Sequence, residues 1–245
     1  MDLTIVIPAH NEEGIIIKTL ESLKKEVKIP HKIIVVNDCS TDKTEEVVKE
    51  YIKKNKNITL VRTTPKRRGF ANALEKGFSQ VKRGAIIPVM ADLCDEPKTI
   101  NKMFQKLEQG WDIVCGSRYM KGGKKSGGPV LQHHLSKYVC LSLKLLTGVP
   151  TTDISNAFKM YKKEILSFAK INPKSGVESS METTLQLYFK GAKITEVPTS
   201  WKGRTVGKSK FKMLERTPRY ARIYKWALEN GIRKRLRLKL KSFYA

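Results

Sequence analysis

Short buried runs alternate with amphipathic stretches along the first half of the chain. Residues 3–7 (LTIVI) are apolar, largely β-branched and stopped by Pro8, the pattern of a buried strand. From Asn11 a helical spacing runs to about Lys25, with Ile16, Leu20 and Leu23 on one face. The same reading predicts a strand at 32–36, a helix ending near Asn55, and a strand at 58–62. A helix at 69–81, a strand at 85–90, a helix at 99–109 and a strand at 112–115 follow. Strands alternating with helices predict an α/β sandwich: a mostly parallel central sheet with helices on both faces.

After Gly116 the pattern changes. Residues 121–128 (KGGKKSGG) predict a mobile loop. A helix is expected at 131–146, then strands at 158–162 and 192–197 with a helix between about 180 and 190. From Lys202 onward there are fifteen Lys/Arg and two acids, Glu215 and Glu229. In that tail Tyr220, Ile223, Tyr224, Ala227 and Leu228 share one helical face, and Leu236, Leu238 and Leu240 alternate with Arg237, Lys239 and Lys241. A basic amphipathic extension of this kind suits a membrane surface; the competing reading packs the helix on the protein's own core. No apolar run reaches the ~18–20 residues of a membrane span. The best candidate, 138–149, is short and carries Lys144. The N-terminus lacks the charged and apolar regions of a signal peptide. Cys39, Cys94, Cys115 and Cys140 form no CxxC pair, so reduced thiols in a cytoplasmic setting are expected.

Charge narrows the class of partner. The 245 residues carry a net charge of +25, which points to nucleic acid, a phospholipid surface or a phosphorylated substrate. In sheets of this type ligands bind beyond the carboxyl ends of the strands. That rule selects PAHNEE (8–13), NDCSTD (37–42) and MADLCD (90–95). Acids gathered there repel a polyanion, so nucleic acid is not expected. Asp92 and Asp95 at an exposed strand end suit a hard cation, Mg²⁺ or Mn²⁺, shared with a phosphorylated ligand. Asp38 is placed to accept from a base edge or a ribose hydroxyl. The competing readings are helix caps: Asn11 or Glu12 for the first helix, Ser40, Thr41 or Asp42 for the second, Asp92 for the turn after the fourth strand.

Taken together and in order, seven segments resemble family 2 glycosyltransferases of the GT-A fold, in particular the polyprenyl-phosphate branch that includes dolichyl-phosphate mannose synthases. They are TIVIPAHNEE (4–13), IIVVNDCSTDKT (33–44), RRGFANAL (67–74), PVMADLCDEP (88–97), VCGSRY (114–119), DISNAFKMYKKE (153–164) and EVPTSWKGRTVGKSKFK (196–212). The resemblance implies a GT-A domain over 1–212, with a nucleotide-sugar half (1–120) and an acceptor half (121–212), followed by the extension at 213–245. It implies a donor site lined by Pro8, Ala9, His10, Asn11 and Glu12, with Asp38 on the base or ribose. Ala91 and Asp92 fall at the diphosphate, Asp92 and Asp95 at the metal, and Arg118, Arg204 and Lys210 on phosphates. Asp92, Arg118 and Arg204 are thereby the expected catalytic set.

The implied reaction is inverting transfer of a hexose, mannose or glucose, from a GDP- or UDP-linked donor to a polyprenyl phosphate at the cytosolic membrane face. If the acceptor is instead a glycan hydroxyl, a carboxylate must serve as base, and Asp153, Glu178 and Glu182 are the candidates. The chain also departs from the family pattern. Asn37 and Met90 stand where relatives often carry carboxylates, Cys94 is too soft for Mg²⁺, and SNAFK (155–159) replaces an SGFR-like element. Many relatives of the branch also carry C-terminal spans, which this sequence lacks. The expected donor site is therefore poor in acids and leans on Arg118, Arg204 and Lys210.

Overall fold

The computed structural model describes residues 1–204 and 213–243. In chain order the elements are β1 (Leu3–Ala9), α1 (Ile16–Glu26), β2 (His31–Asn37), α2 (Thr44–Lys54), β3 (Ile58–Arg62), α3 (Phe70–Ser79), β4 (Ala85–Pro88), α4 (Thr99–Glu108), β5 (Ile113–Ser117) and β6 (Lys124–Ser126). They continue with α5 (Val130–Thr147), β7 (Lys159–Lys162), α6 (Lys163–Leu166), α7 (Glu178–Phe189), β8 (Ile194–Pro198), β9 (Ser200–Lys202) and α8 (Met213–Phe243).

Seven strands make one sheet in the order β3-β2-β1-β4-β7-β5-β8. Only β7 is antiparallel to its neighbours, β4 and β5. Strand periodicity divides the side chains between two cores. Ile5, Ile7, Ile33, Val35, Ile87 and Val114 meet α1, α2 and α4 on one face. Val6, Ile34, Val36, Ile86, Ile113 and Cys115 meet α3, α5, α7 and α8 on the other. The central strands are therefore apolar at most positions, as burial on both faces requires, with Thr4 of β1 and Lys159 of β7 among the buried polar exceptions. Gly77 lets α3 lie directly on the sheet: a Cβ there would stand 2.3 Å from Val6 Cγ1.

Three expectations change. The first helix begins at Ile16, five residues later than its pattern suggested, because Asn11 turns the chain with φ 52°. The glycine-rich loop contains β6, which pairs in parallel with β9 in a small second sheet. Gly127 and Gly203 allow the close approach there: a Cβ on Gly127 would lie 3.2 Å from Gly203 Cα.

The third change concerns the tail. It is one helix, and the face expected to meet a membrane is largely spent on the protein itself. Ile223 and Ala227 are buried in the second core, and Tyr224 and Ser142 of α5 share a hydrogen bond of 2.9 Å between their hydroxyls. No helix among the described residues is long and apolar enough to cross a membrane. The four cysteines are free thiols.

Candidate active site

β1 lies between β2 and β4, so the loops that follow these three strands converge. The first two are laced together. Asn11 Oδ1 accepts the Thr41 N–H at 2.7 Å, and the Asn11 N–H donates to Ser40 Oγ at 3.0 Å. The Glu12 N–H donates to Thr44 Oγ1 at 2.7 Å. The Thr44 N–H in turn donates to Asp42 Oδ1 at 2.9 Å, an Asx-type turn just before α2, whose N-cap position is Lys43.

Asp38 has a different task. Its N–H bonds the Ala9 carbonyl at 2.8 Å, and its own carbonyl meets His10 Nδ1 at 2.7 Å. Its carboxylate accepts from Thr63 Oγ1 at 2.7 Å and from the Gly69 N–H at 2.8 Å. Pro8 and Ala9 are inside β1, and Ala9 is buried.

The third loop is held from both sides. Thr19 of α1 donates to the Ala91 carbonyl at 2.7 Å. The Lys202 N–H of β9 donates to the Cys94 carbonyl at 2.9 Å, and Asp95 bridges to Trp201. Within the loop, Asp92 Oδ1 accepts the Cys94 N–H at 3.2 Å, an Asx-type turn. Asp95 is buried, and its Oδ1 has no hydrogen-bond partner. Burial, and then the charge of Asp92, push Asp95 up to about 7.

A partly buried carboxylate pair with one orphaned oxygen fits a hard cation. Cys94 does not join it: burial pushes its thiol up and keeps it protonated. No group of three or more His, Cys, Asp or Glu suited to a metal occurs among the described residues, so the two aspartates are what this loop offers. A feature invisible in the sequence unites the three loops. Asn11, Cys39 and Leu93, one in each, are the non-glycine residues with positive φ (52°, 54° and 57°) among the described residues. For Cys39 and Leu93 this geometry costs about 1–3 kcal/mol each, and such strain gathers at functional sites.

Arg204 reaches the same place and forms an ion pair with Glu12, both side chains being largely buried. Its charge is also felt at Cys94, so it stands beside the third loop. Arg118, expected on a phosphate, is paired within the protein. Its Nε and Nη2 donate to Asp153 at 2.7 and 2.8 Å, and Asp153 is fully buried. The pair lies close enough to Asp95 for both charges to act on it. Burial opposes the Arg118 charge, but Asp153 outweighs it and the guanidinium pKa is raised.

Two of the three candidate bases are likewise engaged. Asp153 holds Arg118, and Glu178, fully buried, takes Arg216 at 2.9 Å and Arg219 at 3.2 Å. Neither is an unencumbered base; as placed, both are anchors. Glu182 has no ion-pair partner among the described residues, and burial raises its pKa. Lys210 lies outside the described residues. Sequence reasoning missed Thr19, Thr63, Gly69 and β9 as supports of the site, because each acts across a long stretch of chain.

Comparison with known proteins follows the same lines. Residues 4–168 match the family model described as glycosyl transferase family 2. Over 236 residues the chain is 29% identical to a dolichol-phosphate mannosyltransferase of Pyrococcus furiosus, covering 92% of this chain and 64% of that protein. The chain thus spans less than two thirds of that relative's length. An uncharacterised protein of Methanocaldococcus jannaschii is 34% identical over 204 residues, covering 78% of this chain and 84% of the relative.

Among solved structures, glucosyl-3-phosphoglycerate synthase from Mycobacterium tuberculosis, in complex with Mn²⁺, UDP and phosphoglyceric acid, is similar with a TM-score of 0.69. The identity is 16%, over 94% of this chain and 78% of that one. S. aureus TarS (1–349) gives a TM-score of 0.62 at 19% identity, over 82% of this chain and 60% of that one. At these identities the likeness establishes the fold, a GT-A type α/β sandwich.

Proposed function

The chain belongs to glycosyl transferase family 2, and on that premise we propose that it moves a hexose from a nucleotide-sugar donor to a polyprenyl phosphate presented at a membrane surface. The observation that carries the donor half is the convergence of three strained, interlocked loops with the Glu12–Arg204 pair. In this reading Pro8 to Glu12 and Asp38 bind the nucleoside, Asp38 being already oriented by Thr63 and Gly69. Asp92 and Asp95 would hold Mg²⁺ or Mn²⁺. That ion, when bound, neutralises negative charge on the donor diphosphate.

Arg204, with Lys210 of the family motif, adds positive charge on the leaving diphosphate, which departs with the electron pair of its bond to the sugar C1. Arg118 and Asp153 act as one unit that fixes the loop after β5 beside Asp95. An acceptor phosphate oxygen attacks C1 from the opposite face, inverting it. Being anionic already, that oxygen needs no general base, which agrees with the commitment of Asp153 and Glu178 to arginines.

Support for a membrane-borne acceptor comes from α5. Leu131, Leu135, Tyr138 and Leu145 are exposed and recur at helical spacing on one face. Each such side chain contributes about 1.5–3 kcal/mol when fully taken out of water. The surplus of 25 positive charges favours an anionic lipid surface. The kinship with a dolichol-phosphate mannosyltransferase agrees with this acceptor.

The second reading, transfer to a hydroxyl of a soluble or cell-surface glycan, is favoured by one observation. Glu182 is a raised-pKa carboxylate left without an ion pair among the described residues. Labelled GDP- and UDP-hexoses, Mn²⁺ and vesicles with or without polyprenyl phosphate separate the two. The proposal expects label in the lipid fraction only when polyprenyl phosphate is present. Label appearing only on added glycan, and lost in Glu182→Gln, would transfer the assignment to the second reading.

A further inference from the structure

A cavity of about 520 Å³ opens between the start of α3, the segment before α7 and the first turns of α8. Six cations line it: Lys66, Arg67, Arg68, Lys174, Arg216 and Arg219. No carboxylate is among its described lining residues. Arg67 pairs with Glu75 at 2.7 Å, and Arg216 and Arg219 share Glu178. Two carboxylates against six cations leave a surplus of four positive charges. Lys66, Arg68 and Lys174 have no carboxylate partner among the described residues. Five of the six cations are exposed and Arg216 is half-buried, so the cavity is an open concave surface of one sign, which attracts an anion.

The cavity is built, not incidental. Asn72 Nδ2 donates to the Pro173 carbonyl at 2.9 Å and to the Arg68 carbonyl at 3.1 Å, tying two walls together. The Glu178 pairs tie the third, α8, to α7. Phe70 and Pro173 add an apolar surface of the kind that packs against the C–H face of a sugar ring. Asp92, Asp95, Arg118 and Arg204 are not among its described lining residues; the cavity adjoins the donor loops through Gly69, which lines it and whose N–H is bonded to Asp38.

We propose that this cavity binds a phosphorylated sugar or polyol, with the phosphate on Arg68, Lys174 and Arg219 and the ring against Phe70 and Pro173. Arginine forks suit phosphate oxygens, and the volume accommodates more than a bare phosphate. The inference does not depend on the lipid-acceptor reading. A free sugar phosphate and a phosphoinositide headgroup present the same chemistry.

Calorimetric titration of the full chain with glucose 6-phosphate, inositol 1-phosphate and inorganic phosphate tests it. The wild type is expected to bind one or both organic phosphates more tightly than inorganic phosphate. Arg68→Gln with Lys174→Gln is expected to weaken that binding at least tenfold with an unchanged melting temperature. Asp92→Ala and saturating GDP or UDP are expected to leave it unchanged. Absence of binding, equal affinity in the double variant, or displacement by the nucleotide overturns the proposal. Sedimentation with phosphatidylinositol vesicles identifies the source. Vesicle binding lost in the double variant supports a headgroup, whereas unchanged vesicle binding with lost glucose 6-phosphate binding supports a free sugar phosphate.

Discussion

Around the ends of β1, β2 and β4, polar side chains of one loop are tied to another: Asn11 to Thr41, Asp38 to Gly69, Glu12 to Arg204. Along α5 the reverse holds. Val130 and Leu131 are each more than 70% exposed. The first region holds its groups still at the cost of backbone strain. The second leaves apolar surface in water at the cost of hydration. Both costs are reasonable only if something offsets them, a bound donor in one case and an apolar medium in the other. The difference teaches where to look for each substrate: charge chemistry at the locked loops, acceptor delivery at the uncovered helix.

The largest break in that comparison is at the locked loops. Asp92→Ala is expected to lower transfer on the order of 100- to 1000-fold, the size of a lost transition-state contact. Steady-state rates with saturating donor check it, and near-normal turnover would move the chemistry elsewhere. Next in size is the Arg118–Asp153 pair. Asp153→Ala leaves a buried guanidinium without its partner and should cost about 3–5 kcal/mol in chemical denaturation. Arg118→Met with Asp153→Leu should restore most of that stability while leaving the loop after β5 misplaced and transfer impaired. A double variant that remains as unstable as the single one contradicts the account of the pair.

On the other side of the comparison, Leu131→Asp with Leu135→Asp should reduce sedimentation with anionic vesicles at least tenfold and change stability by under about 0.5 kcal/mol, as at exposed sites. Equal vesicle binding by the variant would remove α5 from the membrane reading.

The smallest effect concerns pH. Burial works against the Glu178 charge, but the N–H of Gly176 and the Arg216 and Arg219 charges outweigh it and hold its pKa below the ordinary value. A lowered carboxylate pKa stabilises above the unfolded value, about 4.3, and that contribution is lost as pH falls through the folded value. Docking of α8 on α7 should therefore loosen below about pH 4. Fluorescence of Trp226, which packs on Phe189, reports it in a Trp111→Phe, Trp201→Phe background. Glu178→Gln should show the loosened signal already at pH 7, with no further acid step.

Much of this was legible in the sequence, for a physical reason. Strands buried on both faces are apolar at nearly every position, so LTIVI and IIVV declare themselves, and the polar breaks after them mark the site. What escaped depends on contacts across long separations. Arg118 and Asp153 are 35 positions apart, and nothing in either local pattern says that one takes the other. The stripe Tyr220, Ile223, Ala227 suits a bilayer or a neighbouring helix equally, and only packing shows that Ile223 and Ala227 go to the core. Leu93 and Cys39 carry no sequence signal of a left-handed turn, since strain there is imposed by the surrounding bonds. The Lys121–Gly128 segment read as loop because glycine masks pairing; its strand exists through β9 alone.

The most direct test of the central claim, a nucleotide-sugar site at the three locked loops, is the thermal stability of the full chain with GDP- and UDP-hexoses and Mn²⁺. One of the two donors at a hundredfold its dissociation constant should stabilise the wild type by about 2.7 kcal/mol, and Asp92→Ala should lose most of that gain. No stabilisation by either donor, or equal stabilisation of wild type and variant, would contradict it.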